Sequence, residues 1–251
     1  MTDLWGDDKA DGPGDELTPE RLAYIEQCKA DPRNYFWGVD PHTGIAIVRT
    51  LDASDKEHPI KPLPTWPFLL FVVSVFAGQK GVLLEDFGVA PEQVNEKKVV
   101  IDKPRQLMVS WLLLLWFEYL CLFRDFTTCL LNKATMDESK KMLFKRLGVV
   151  HKFWPEWFRL WAQVQELRSE GEMRYERACS VIGATGENVE DRAARGDQAT
   201  SFGVDEAARH PRLREVLAAV APMANQIILV STPELGSPGA AFFAEILKEA
   251  V

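Results

Sequence analysis

The sequence has no C-x-x-C pair and no cysteine beside a histidine at metal-ligand spacing. Its four cysteines (Cys28, Cys121, Cys129, Cys179) and four histidines (His42, His58, His151, His210) are scattered over 251 residues. That excludes a zinc ribbon and points to reduced thiols in a core. A secretory leader is not expected, because the first residues are acidic and carry no apolar h-region. Nor is a membrane partner, because no apolar run reaches the ~18–20 residues of a span. The runs 68–77 and 111–123 both stop short, and the second carries Glu118. A dominant charge is missing too. The net charge of −8 is concentrated in residues 1–20, with seven acidic side chains and one lysine. Residues 103–146 instead hold eight Lys/Arg against four Asp/Glu. Bulk charge therefore neither demands nor forbids a nucleic-acid partner.

What is present is 47% hydrophobic residues, enough for a large α/β domain. Residues 1–17 read as an acidic disordered tail, and 18–251 as the folded domain. Thr18 and Pro19 open a helix over 18–30. A turn at 40–44 precedes a strand at 45–51, and 58–67 is a proline-rich connector. Short apolar runs at 99–101, 127–132, 178–184, 200–206 and 225–232 read as strands. A helix over 106–123 is apolar on nearly all sides and belongs inside the domain. Thr135 and Glu138 form a capping box opening a helix that Gly148 closes. Further helices are expected at 155–167 and 238–250. Buried strands alternating with helices predict a mainly parallel sheet covered on both faces.

In such a sheet ligands sit at the carboxyl ends of the strands. Those ends carry Lys103-Pro104-Arg105, Asp205-Glu206 and Ser231-Thr232. The turn "KPRQLMVS" (103–110) runs from strand to helix, where phosphate meets backbone N–H groups. The usual phosphate loop reads G-x-x-x-x-G-K-[ST]. Here Ser110 keeps the hydroxyl, Val109 replaces the lysine, and Lys103 or Arg105 supplies the cation from the front. A strand ending in Asp205-Glu206 suits magnesium–nucleotide chemistry. Asp205 would hold Mg2+ through its water shell, and Glu206 would polarise water. The basic helix 139–147 is a solvated amphipathic face or a DNA-facing element.

The order of these motifs resembles the ATPase domain of the large terminase subunit of tailed viruses, the motor that packages DNA into capsids. The likeness runs from about residue 34 to residue 245. "KPRQLMVS" is similar to that family's K-x-R-Q-x-G-x-S loop through Lys103, Arg105, Gln106 and Ser110. "RGDQATSFGVDEAA" resembles its acidic motif, and Ser231-Thr232-Pro233 its coupling motif. The resemblance implies an ASCE/RecA-like P-loop NTPase that uses ATP and Mg2+. It assigns ATP binding to Lys103, Arg105, Gln106 and Ser110, and the metal to Ser110 and Asp205. It assigns catalysis to Glu206, and to Arg195 acting in a neighbouring subunit's site, with Arg192 as the rival. Coupling falls to Ser231, Thr232 and Pro233. Trp66 stands where the adenine is held, without the family's glutamine, either stacked on the base or packed in the core. Met108 replaces the family's glycine, which is costly if that position needs positive φ. The implied partners are double-stranded DNA, the portal and capsid vertex, the small terminase subunit and further copies in a ring. The implied location is the cytoplasm of an infected host cell. No acidic cluster follows the coupling motif, so DNA cleavage is not expected from these residues. Two other readings stay open: a catalytically weak module docking on DNA or capsid, and a helicase-type translocase.

Overall fold

A computed structural model describes residues 16–51, 55–78, 97–104, 107–176, 178–184, 189, 198–232 and 236–249. The expectation of an acidic disordered tail therefore falls almost wholly outside the described residues. So does everything expected of Arg105, Gln106, Arg192, Arg195 and Pro233.

The chain opens with α1 (Pro19–Ala30) and α2 (Pro32–Trp37), then β1 (Arg49–Leu51), β2 (Ile60–Pro62) and α3 (Pro67–Phe76). Next come β3 (Lys98–Asp102), α4 (Val109–Phe123), β4 (Thr128–Asn132), α5 (Met136–Lys152) and α6 (Glu156–Ala162). There follow β5 (Gln165–Leu167), β6 (Glu172–Tyr175), β7 (Cys179–Ala184) and β8 (Ala199–Asp205). A 3-10 turn (Ala207–Arg209), α7 (Leu213–Val220), β9 (Ala224–Ser231) and α8 (Ala240–Glu249) complete it. Thr18 caps α1 and Pro19 takes its first position, as the sequence predicts.

Among the described residues seven strands form one sheet in the order β3-β9-β8-β4-β7-β6-β5. The pairs from β3 to β7 are parallel, and β6 and β5 add an antiparallel edge. Apolar residues alternate between the faces with the strand period of two. Val99, Ile101, Cys129, Leu131, Val181, Ile228 and Val230 join the core under α2, α3, α4, α5 and α6. Leu130, Phe202, Val204 and Leu229 join a second core under α7 and α8. All four cysteines are free and buried.

Every residue of α4 except Ser110 is buried. Its backbone polar groups are satisfied internally, so a helix is the form in which this apolar run can be sealed between the sheet and other helices. It lies against β8 because Gly203 has no side chain: a Cβ there would come 2.7 Å from Phe117 and 2.8 Å from Leu113. Polar groups beneath it are paired. Gln226 Oε1 accepts from Trp116 Nε1 (2.7 Å) and Ser201 Oγ (3.0 Å), and its Nε2 donates to the Phe76 carbonyl (3.0 Å). The fully buried Glu118 carboxylate takes hydrogen bonds from Tyr35, Tyr175 and His151, joining α2, α4, α5 and β6.

That cluster corrects one expectation. Thr135 does cap α5, accepting from the Glu138 N–H at 3.3 Å. The helix nevertheless runs through Gly148 to Lys152, because His151 is drawn inward to Glu118 and Val150 is buried. The 155–167 helix is also corrected. It stops at Ala162, where Gln163 turns left-handed (φ 45°), and Gln165–Leu167 becomes an edge strand. Gly171 (φ 72°) turns that strand back into β6, which the sequence pattern did not suggest. The strand expected at 45–51 shortens to β1, which pairs antiparallel with β2 inside the expected proline-rich connector.

Gly203→Ala tests whether close approach of α4 holds the fold. The clash with Phe117 and Leu113 should cost about 1–3 kcal/mol, read as a lower midpoint in denaturant unfolding.

Candidate active site

Register places the strand ends side by side. Asp102 pairs with Ser231, Val230 with Asp205, and Val204 with Asn132. The residue after β4, Lys133, is therefore level with Asp205. Ser231 ties three of these ends together. Its carbonyl accepts from the Lys103 N–H (3.0 Å), and its hydroxyl accepts from the Ala208 N–H (3.0 Å) in the turn after β8. It is 2% exposed. Thr232, the next residue, offers its carbonyl to the Ser231 hydroxyl at 3.3 Å.

The loop from β3 meets the acidic strand through Ser110. Its hydroxyl donates to Asp205 Oδ1 at 2.7 Å, joining residues 95 apart in sequence. A hydrogen bond to a buried carboxylate contributes about 1.5–3 kcal/mol. Met108 precedes α4 in the left-handed region (φ 57°, ψ 3°), the conformation that glycine adopts without cost. Its carbonyl accepts from the N–H groups of Trp111 (2.8 Å) and Leu112 (3.1 Å). Packing of the half-buried Met108 side chain against the core offsets the conformational cost. Glu206 is left-handed too (φ 59°, ψ 42°), which ends β8 and turns the acid out of the sheet. Such strained residues cluster at functional sites.

Two groups that the sequence reading passed over sit among these residues. Lys133 Nζ lies 3.1 Å from Asp205 Oδ2 and 2.9 Å from Glu206 Oε2. Its backbone N–H is fixed by Ser139 Oγ in the first turn of α5 (3.1 Å). Burial acts to lower its pKa, but the two carboxylates outweigh this, and the ammonium is held above its ordinary range. The strand-end rule that picked out Lys103, Asp205 and Ser231 would have found Lys133 had it been applied to 127–132. Arg146 on α5 lies over the Trp111 ring at 5.6 Å. It was counted on the basic face of that helix, yet burial lowers its pKa while Asp205 and Glu206 oppose the shift. Lys103 is half-buried and shows the same balance: burial lowers its pKa, Asp205 and Glu206 raise it, and Arg146 and Lys133 lower it. With Arg209, whose Nη1 lies 3.9 Å from Glu206 Oε1, four cations thus surround two carboxylates, an arrangement that favours an added anion.

Trp66 stands 45% exposed at the head of α3, so it is not a core residue. Among the described residues no three His, Cys, Asp or Glu side chains are grouped so as to hold a metal ion by themselves. The Asp205 carboxylate and Ser110 hydroxyl, one hydrogen bond apart, fit a hard ion bound partly by the protein and partly by a ligand's phosphates, as Mg2+ is.

His210 follows the acidic turn. Burial and the Arg212 charge lower its pKa, against a backbone hydrogen bond with Lys133. A folded-state pKa below the ordinary ~6.5 means that protonation disfavours the fold. His210 stabilises fully above about pH 6.5, and this stability is lost as pH falls through its folded-state value. Melting temperature should therefore drop between about pH 7.5 and 5, and His210→Asn should flatten that slope.

No protein-family model and no curated protein matches the chain. Solved structures do. The large terminase of bacteriophage HK97 matches 75% of this chain at 10% identity with a TM-score of 0.52; the match spans 38% of that protein. The ATPase domain of the Thermus phage P74-26 large terminase matches 64% of the chain and 71% of that domain, at 16% identity and a TM-score of 0.40. A point mutant of that domain gives 18% identity with the same coverage and TM-score. The chain shares the α/β fold of the HK97 large terminase, with a mainly parallel sheet.

Proposed function

We propose that this chain is a terminase-type motor domain that hydrolyses ATP to drive double-stranded DNA into a capsid. The observation that carries the reading is the Ser110–Asp205 hydrogen bond. It closes a strand–loop–helix turn onto an acidic strand whose next residue is Glu206. Those are the parts that phosphoryl transfer to water requires: phosphate-binding backbone at a helix N-terminus, a metal-binding hydroxyl and acid, and a carboxylate beside them.

In this reading Lys103 and Arg105 grip the phosphates from the leading end of the loop, with Gln106 beside them. Ser110 and Asp205 would hold Mg2+, which when bound would neutralise charge on the phosphate oxygens. Glu206 orients and deprotonates the attacking water. Lys133 bridges both carboxylates and fixes their spacing. Trp66 is an exposed ring available to stack on the adenine. Ser231 hydrogen-bonds the backbone on both sides of the site, so movement of either strand end reaches Thr232 and Pro233. Arg195 reaches the nucleotide of the next copy in a ring. Double-stranded DNA, the portal and capsid vertex and the small terminase subunit are the partners that accompany such a motor, in the cytoplasm of an infected cell. Support for these partners is the likeness to large terminases in fold. One observation favours the weaker reading of a poorly active docking module: a methionine, not a glycine, occupies the left-handed position of the loop.

Two measurements test the proposal. Glu206→Gln should retain binding of ATP with Mg2+ while hydrolysis falls at least a hundredfold, the range of general-base loss. Wild-type protein that binds no nucleotide would leave the docking module as the better reading. ATPase rate per subunit should rise with protein concentration in wild type. In Arg195→Ala it should stay low at every concentration, since a finger in trans contributes ~10^3–10^5 in rate.

A further inference from the structure

We infer that Arg146 is a phosphate-binding residue of this site, acting in the same subunit from the middle of α5. The inference rests on the nucleotide-binding reading above and adds to it a cation that no loop motif supplies. Trp111, over which the guanidinium lies, is in the first turn of α4, immediately after Ser110. Arg146 is therefore beside the helix end where a phosphate would meet backbone N–H groups. Its Nη1 is sealed from solvent and has no hydrogen-bond partner. Among the described residues no carboxylate lies within ion-pair distance of it. Asp205 and Glu206 are near enough to act on its charge, but Ser110 and Lys133 engage both Asp205 oxygens, Lys133 engages Glu206 Oε2, and Arg209 Nη1 lies 3.9 Å from Glu206 Oε1.

A buried donor without an acceptor is destabilising, and more so when it carries charge. A guanidinium whose buried Nη1 lacks an acceptor, beside two already paired carboxylates, has a natural acceptor in a phosphate, whose oxygens match its donor fork. The helix position fits as well. Met142, Leu143, Leu147 and Val150 bury one face of α5, and Lys141 and Lys145 are exposed on the other. Arg146 stands at the edge between them, and its charge is turned toward the site rather than toward the basic outer face.

The test compares wild type with Arg146→Met, which keeps the bulk and removes the charge, and with Arg146→Lys. The probes are a non-hydrolysable ATP analogue with Mg2+, and inorganic tripolyphosphate without metal. Affinity is read by calorimetry, and ligand-free melting temperature is recorded for each protein. We expect R146M to melt at or above wild type and to bind both probes about ten- to a hundredfold more weakly. We expect R146K to recover part of the loss. An R146M protein that melts lower yet binds both probes as wild type does would make Arg146 a clamp on Trp111 and overturn the inference. If R146M does not fold, wild-type affinity in R146K overturns it equally, and weakened binding in R146K supports it. Failure of wild type to bind either probe would instead overturn the nucleotide-binding reading itself.

Discussion

The molecule is organised around a helix that cannot be wetted. In α4 the side chains from Trp111 to Phe123 are all buried. The helix must therefore be covered by the sheet on one side and by α2, α3 and α5 on the other. Gly203 lets it approach the sheet, Gln226 pairs with Trp116, and Glu118 binds three neighbours through one carboxylate. Ser110 alone in the helix is not buried, and it is the residue that reaches Asp205. Core packing thus fixes the start of the helix at Met108 and Ser110, and this part of the site inherits its rigidity from apolar contacts as well as from its own polar bonds.

This explains how a loop lacking glycine takes a shape that glycine would take easily. Left-handed backbone at Met108 and Glu206 costs roughly 1–3 kcal/mol each. Met108 lies against the core, and its carbonyl receives two N–H groups of the helix it opens. Glu206 is held by Lys133 and by a hydrogen bond from the Arg209 N–H to its carbonyl (2.8 Å). The strain is met locally by packing at one position and by charge at the other. Lys133, Lys103 and Arg146 then give the site more positive than negative charge, although the chain as a whole is acidic.

Most of the strand and helix pattern was readable, because buried parallel strands are short apolar runs and caps are local. The N-caps at Thr18 and Thr135 depend on residues within one turn, so sequence suffices for them. The failures have a common cause. Gly148 has the local chemistry of a helix end, but His151 lies one turn further on and has a partner 33 residues away. Gln165–Leu167 has no strand signal and becomes a strand through antiparallel pairing with Glu172–Tyr175. Trp66 could not be assigned to core or surface from its neighbours in sequence, and it lies at the surface.

The sequence by itself determined the sheet's buried strands, the burial of 111–123 and the presence of Lys103, Asp205, Glu206 and Ser231 at strand ends, because periodicity and strand polarity are properties of neighbouring residues. Only the tertiary structure decided that Lys133 bridges the two acids and that Arg146 turns toward them. Those facts depend on which strands pair and on which face of α5 is covered. Strand order and helix facing are set by contacts between residues far apart in the chain, where local pattern carries no information about charge meeting charge.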